Sequence, residues 1–255
     1  MSTFKIDCRW TSEVDDQFIK DWTYIERSVM GGFSDAFIKR KFFENIYGPS
    51  VMVVAYLDNQ PVGADALWRN DVNGQEAYQS NDTSVLEDAR RKGVMTGFTK
   101  VELSKIPSGS YIYGSPNGQS YWGYKKMGWN EIAMYSAIFT SPKRYVREYS
   151  QKMPKEYAQW WIVGTDKYYI KRFGHYYLVS TGGCRRFYVL LIAEVDADTA
   201  LMYPRFRKFA LLVYRSYKKT WLWRLCRKGL LHHISWQSDP RVFPYWKLDG
   251  YGEES

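Results

Sequence analysis

No run of about 18 apolar residues, the length a membrane-crossing helix needs, occurs anywhere in the chain. FYVLLIAEV at residues 187–195 is among the longest apolar stretches and has the length of a strand. The opening residues, MSTFKIDCRW, lack a basic segment followed by an apolar one, so no secretory signal is read there. Cysteine is scarce: Cys8, Cys184 and Cys226 stand far apart with no CxxC spacing, which argues against a disulfide framework and a thiolate zinc site. The three histidines are His175 and the adjacent pair His232 and His233, which would diverge on a helix, so no metal is expected. GxSxG, GxxxxGK(S/T) and GxGxxG are all missing, against the common hydrolase, P-loop and dinucleotide-binding classes. Together these absences predict a soluble, cytoplasmic protein.

Acidic residues are also missing from one long window. Residues 199–238 hold none, yet carry nine cations: Arg205, Arg207, Lys208, Arg215, Lys218, Lys219, Arg224, Arg227 and Lys228. These equal the whole net charge of +9, so the rest of the chain is balanced. What is present is ordinary globular composition, 45% apolar and 25% charged, with an aromatic share of 18% that argues against disorder. A chain of 255 residues can bury a substantial core as one large domain or two small ones.

Patterning predicts a strand at 4–8, a helix over 11–26 opened by Thr11 or Ser12, and a second helix over 34–47. Strands follow at 51–57, 61–69 and 76–86, with turn signals at Asp58-Asn59-Gln60 and Asn73-Gly74. A helix over 91–105, a strand at 110–114, a short helix over 119–126 and a strand at 131–139 complete the order β-α-α-β-β-β-α-β-α-β. The remainder reads as a second α+β unit, with strands at 160–163, 168–172, 176–180 and 187–195, a helix over 203–219 and a last strand at 244–248.

The stretch Glu87-Asp88-Ala89-Arg90-Arg91-Lys92-Gly93-Val94-Met95-Thr96-Gly97 joins a predicted strand to a helix. Such a turn presents free backbone N–H groups and the positive end of the helix dipole, a ready site for phosphate or pyrophosphate. Gly93 would allow close approach of a ligand, and Arg90, Arg91 and Lys92 add charge, although basic residues before a glycine are also a common solvated turn. Glu87 and Asp88 read as acids of the helix start.

A second motif follows the next strand: Ser115-Pro116-Asn117-Gly118-Gln119-Ser120, then Tyr124-Lys125-Lys126-Met127-Gly128-Trp129. In these two motifs, and in the order of elements over residues 3–140, the chain resembles the GCN5-related N-acetyltransferase superfamily. That family carries an R-x-x-G-x-G/A turn after its fourth strand and a Y-x-x-x-G-F-like phrase after its fifth. Here the turn matches at Arg90 and Gly93 and departs at Met95, where the family has Gly or Ala. The P-N-x-x-S run at residues 116–120 is similar to a bacterial branch of the superfamily.

The resemblance implies an α+β fold with a central, mostly antiparallel sheet flanked by helices over residues 1–140. Residues 141–255 would form a second, smaller and degenerate half that shapes the acceptor site. It implies acetyl-CoA as acyl donor, its pyrophosphate on the backbone of residues 91–96 (Arg91, Lys92, Gly93, Val94, Met95 and Thr96) after Arg90, and its pantetheine between the fourth and fifth strands, near Asn117. An N–H near Val85 or Leu86 would polarise the thioester carbonyl, where charge builds in the transition state. Tyr124 matches the tyrosine that protonates the departing thiolate. For the base that deprotonates the amine, Asp82 is the first choice and Asp65 the second. The acceptor would be a small-molecule primary amine, such as an amino sugar or another anionic metabolite.

The window 203–228 interleaves its cations with Tyr203, Phe206, Phe209, Tyr214, Tyr217, Trp221 and Trp223. A half-buried helix with snorkelling cations, an anionic-substrate surface, a membrane-surface helix and a nucleic-acid site all remain open readings, with nucleic acid not expected. A catalytically silent CoA-fold scaffold is the alternative to an enzyme.

Overall fold

The computed structural model describes residues 4–31, 33–116, 118, 120–148, 152–162, 168–181, 188–205, 211–216 and 231–235. They fall into two compact units. The first takes residues up to Ile132 together with Ile234 and Ser235, and the second runs from Ala133 to His233.

The first unit begins with strand β1 (Lys5–Trp10) and helix α1 (Asp16–Met30). The helix starts later than its polar lead-in suggests. Thr11 is buried, and its hydroxyl accepts the Ser50 N–H at 3.1 Å, so it serves the sheet edge instead of a cap. Asp15 caps α1 by accepting the Phe18 N–H at 2.8 Å, and Gly31 ends it in the left-handed region at φ 83°. Phe18, Trp22 and Ile25 recur at helical spacing and form the buried stripe. Helix α2 (Asp35–Ile38) is capped by Ser34 and widens into a π turn over Lys39–Phe43, which turns the consecutive residues Lys41 and Phe42 both inward. The predicted single helix over 34–47 is therefore shorter, with Asn45 bonded across to the Arg69 carbonyl at 2.8 Å.

Strands β2 (Val51–Leu57), β3 (Gln60–Arg69) and β4 (Ala77–Val85) form a meander. The two-residue loop Asp58-Asn59 has φ of 50° and 63°, and Asn73-Gly74 has 52° and 72°. Both loops are thus of the left-handed kind that matches strand twist. A 3₁₀ turn at Glu87–Ala89 leads to helix α3 (Val94–Lys105), strand β5 (Tyr111–Gly114), helix α4 (Tyr121–Lys126) and strand β6 (Asn130–Thr140). The sheet order is β1-β2-β3-β4-β5, antiparallel except for β4 against β5. That parallel pair needs a crossover, and α3 supplies it. Ile234 and Ser235 pair antiparallel with Gly114 and Tyr113, on the other edge of β5. Helix α1 covers one face of the sheet and α3 the other. Val94 and Phe98 of α3 pack in one core cluster with Val51, Val53, Leu67, Tyr78, Tyr124 and Trp129.

In the second unit, α5 (Pro142–Glu148) and α6 (Lys155–Tyr157) precede β7 (Tyr168–Phe173), β8 (Tyr176–Thr181), β9 (Tyr188–Val195), α7 (Ala197–Ala200), β10 (Leu211–Ser216) and β11 (Leu231–Ser235). Its sheet runs β6-β10-β9-β8-β7, with β10 antiparallel to β6 and parallel to β9. Two expectations change here. Residues 160–162 are not a strand; Ala158–Ile162 forms a π turn continuing α6, in which Tyr157, Ala158 and Trp161 are buried, and residue 163 lies outside the described residues. The helix expected over 203–219 is broken by β10, because Leu211–Ser216 finds a ladder partner on each side. His232 and His233 stand in strand β11, not in a helix. The strand predicted at 244–248, and residues 206–210 and 217–230 of the basic window, lie outside the described residues.

At Gly63 on β3, α3 comes close to the sheet. A Cβ there would sit 2.9 Å from Phe98 Cζ and 3.0 Å from Val94 Cγ1. Gly63→Ala is expected to lower stability by about 1–3 kcal/mol through overpacking. Urea unfolding should show a lower midpoint with an unchanged slope; an unaltered midpoint would contradict this close approach.

Candidate active site

Strands β4 and β5 pair only from Ala77 opposite Tyr111 to Ser80 opposite Gly114. Beyond Ser80, β4 continues to Val85 against β3 alone, so the two parallel strands fork. At the fork β4 also carries a bulge. Ala64 pairs with Ser84 and Ala66 with Asn81, so Asp82 and Thr83 together oppose the single residue Asp65. Asp82 takes φ of 58°, a left-handed conformation that aspartate tolerates better than most residues.

The extra residue resets which side chains share a face. Ser80 and Thr83 both reach the α3 side, where they meet Tyr124 from α4. Tyr124 Oη lies 2.7 Å from Ser80 Oγ and 3.0 Å from Thr83 Oγ1. The Thr83 hydroxyl donates to Asp65 Oδ1 at 2.9 Å, and the Ala66 N–H donates to the same oxygen at 2.9 Å. Tyr124 is held by its own motif. Gly128 turns at φ 94°, the Trp129 N–H returns to the Tyr124 carbonyl at 3.1 Å, and the two rings pack edge-on at 4.9 Å. Burial, and after it the charge of Asp65, pushes the Tyr124 phenol above its usual range. Burial likewise raises the Asp65 carboxyl to about 8.

Asp82 faces the opposite way. Its Oδ2 accepts from Lys41 Nζ at 2.5 Å, and both side chains are buried. Four rings surround the ammonium, those of Phe42 and Trp68 each at 5.2 Å, Phe37 at 5.7 Å and Phe33 at 5.8 Å. Glu26 of α1 is fully buried on this side, and neither of its oxygens completes a hydrogen bond among the described residues. Burial and the Asp82 charge hold its carboxyl well above the ordinary carboxylate range.

The turn after β4 runs through Arg90 in extended conformation, Arg91 at φ 62° and Gly93 at φ 85°. Helix α3 then starts at Val94, and no side chain caps it. Nothing lies within 4 Å of where a Gly93 Cβ would project, so the approach to the turn is open.

No family model matches the sequence, and no curated protein matches it. Solved structures match the fold across nearly the whole chain. A conserved protein of unknown function from Enterococcus faecalis V583 is 10% identical, with TM-score 0.54, over 96% of this chain and 74% of its own. A GCN5-related N-acetyltransferase from Anabaena variabilis is 11% identical, with TM-score 0.52, over 91% and 72%. Another from Kribbella flavida is 9% identical, with TM-score 0.51, over 91% and 71%. The chain has the GCN5-related N-acetyltransferase fold.

Within that fold the residues picked out from sequence take different positions. Tyr124 stands at the fork, whereas Asp82 lies across the sheet from it and is not brought to its hydroxyl. Asp65, the second choice, is on the Tyr124 side. The Leu86 N–H is taken by the Val62 carbonyl at 2.9 Å, which removes it as a free donor. The Val85 carbonyl accepts from Arg90 Nε at 3.0 Å, so this arginine pins the turn. Arg91, Lys92 and Thr96 are exposed, and Val94, the first residue of α3, is buried. Met95, the departure from the GCN5-related pattern, points to α4, its sulfur 3.2 Å from where a Gly123 Cβ would stand. Glu87 and Asp88 belong to the 3₁₀ turn instead of the start of α3. Asn117 lies outside the described residues. Ser80, Thr83, Lys41 and Glu26 were not singled out from sequence. The available signal was S-N-D-T-S at residues 80–84, an unusually polar run for a central strand.

If Asp82 serves mainly to neutralise Lys41, removing it leaves a buried cation. Asp82→Ala is expected to cost about 3–5 kcal/mol, and Asp82→Ala with Lys41→Met to recover much of that loss. Chemical denaturation of both variants checks this. A single variant as stable as the parent would reject the pair as structural.

Proposed function

We propose that this protein is a CoA-dependent N-acyltransferase that passes an acetyl or other acyl group to a primary amine by direct attack in a ternary complex. The observation that carries the reading is the Tyr124 hydroxyl at the point where β4 and β5 part. In this reading the donor's pantetheine lies in the fork and its pyrophosphate at the start of α3. The residues present fit that donor. The α3 N-terminus is uncapped, Gly93 leaves room for close approach, and Arg91 and Lys92 bring positive charge to the turn. The thioester supplies an activated acyl carbon. What the chain contributes is position and a proton donor.

Tyr124 is suited to the second task. A phenol pushed above its ordinary range stays protonated at neutral pH and can donate to a departing thiolate. The acceptor is a small-molecule amine, with amino sugars and other anionic metabolites as the class to test first. The cation excess of residues 199–238 favours an acceptor that carries negative charge.

Acetyl-CoA at about 100 times its dissociation constant should stabilise the protein by about 2.7 kcal/mol. No thermal shift at millimolar acetyl-CoA would remove the donor from the reading. A thiol-release screen over primary amines then identifies the acceptor. With it, Tyr124→Phe should lower kcat by roughly 10- to 1000-fold while donor binding persists. Unchanged turnover would take Tyr124 out of the reaction.

A further inference from the structure

Beside the fork, three hydroxyls and a carboxyl form one unbroken chain: Ser80 Oγ to Tyr124 Oη at 2.7 Å, Tyr124 Oη to Thr83 Oγ1 at 3.0 Å, and Thr83 Oγ1 to Asp65 Oδ1 at 2.9 Å. Each hydroxyl has a single proton to donate. The direction of the whole chain therefore follows from one end. When Asp65 is ionised it can only accept, so the Thr83 proton is committed to it. Thr83 Oγ1 can then only accept from Tyr124, whose own proton turns inward, and Ser80 donates to Tyr124. In that state Tyr124 offers the fork no proton. When Asp65 is protonated the chain can reverse: Asp65 donates to Thr83, Thr83 to Tyr124, and the Tyr124 proton is free to point outward.

We propose that Asp65 is a positioning residue that sets, through Thr83, the direction of the Tyr124 proton, its carboxyl form being the one that delivers a proton at the fork. This rests on the acyl-transfer reading above. The amine nitrogen bonds to the thioester carbonyl carbon, the C–S bond breaks, and sulfur leaves with the electron pair. Tyr124 gives its proton to sulfur and takes the Thr83 proton, Thr83 takes the Asp65 proton, and Asp65 is left as carboxylate. The proton shed by the amine goes to water, and water returns one to Asp65 before the next cycle, so the balance closes.

The surroundings support a carboxyl that holds its proton near neutrality. No ion pair reaches Asp65 among the described residues. The titratable groups that interact with it are Glu102 from α3, Cys8 from β1 and Tyr124 from α4 on its own side of the sheet, and Glu26 from α1 and Asp82 on β4 from the other side. Glu102, Glu26 and Cys8 are acids, which carry no positive charge in either protonation state, and burial pushes both carboxyls well above the carboxylate range and the Cys8 thiol to about 12. Among the described residues the buried cation is Lys41, and it is bonded to Asp82. Because the shift of Asp65 is upward, to about 8, the delivering form dominates below that pH and is lost as pH rises through it.

The test combines a carboxyl titration with a pH–rate series. By 13C NMR, assigned with Asp65→Asn, the Asp65 carboxyl in the substrate-free protein should titrate with a midpoint near 8. A midpoint below about 5, the ordinary carboxylate range, overturns the proposal without reference to turnover. The wild-type kcat should fall as pH rises through the same midpoint. Thr83→Val and Asp65→Asn should each lower kcat by about tenfold or more, flatten that limb and leave KM for acyl-CoA within about twofold, whereas Thr83→Ser should restore the limb. A Thr83→Val protein that keeps the wild-type limb overturns the relay while acyl transfer stands. A wild type that acylates no amine overturns both.

Discussion

Opposite Asp65, strand β4 fits two residues into the space of one, and the chemistry of both sheet faces follows from that insertion. In a regular strand Ser80, Asp82 and Ser84 would share a face and Thr83 would oppose them. With the bulge, Ser80 and Thr83 face α3 and α4 together, while Asp82 faces α1 and α2. Shifting the extra residue by one position would turn an acid toward Tyr124 and leave Lys41 with no counter-charge. The fork between β4 and β5 begins at the same height, so the sheet loses its regular pairing on both edges of β4 within a few residues.

Such a bulge carries strain, with Asp82 in a left-handed conformation at φ 58°. The α1 side offsets it. A buried ammonium in a cage of four aromatic rings has a large desolvation penalty unless an anion meets it, and only a side chain turned to this face can do so. The π turn at Lys39–Phe43 serves the same end, since it brings Lys41 and Phe42 to the interior together. Glu26, on the same side, is pushed toward its neutral form, first by burial and then by the Asp82 charge. The ion pair and the bulge therefore require each other.

How much of this could be read from sequence divides along physical lines. Features written in local chemistry were legible. Asp58-Asn59 and Asn73-Gly74 supply left-handed residues where two-residue hairpins need them, and Gly128 before Trp129 closes the phrase that holds Tyr124. The order of elements over the first unit follows from these punctuation marks. Features set by pairing were not. Nothing in S-N-D-T-S announces which residue is the extra one, because a bulge is defined by the opposite strand. Asp82, the first choice as base from the resemblance, is therefore turned to the face away from Tyr124. The Leu86 amide was expected to be free, yet an antiparallel neighbour bonds it. Leu211–Ser216 is a strand for a similar reason, since β6 and β9 on either side outweigh its local preference.

Two aspartates one strand apart thus have contrasting partners. Among the described residues Asp82 meets a cation and no hydroxyl chain, whereas Asp65 meets the Thr83 hydroxyl and an amide and no cation. In a dry interior that difference outweighs any difference of residue type, since a carboxylate keeps its charge where a counter-ion is in contact and tends to hold a proton where none is. Donors that must accept what the next group gives transmit the state of Asp65 over two hydrogen bonds to Tyr124. The chain's direction depends on no moving part. It needs only the three hydroxyls to stay in register, and the bulge on β4 together with the Trp129 contact behind Tyr124 fixes that register.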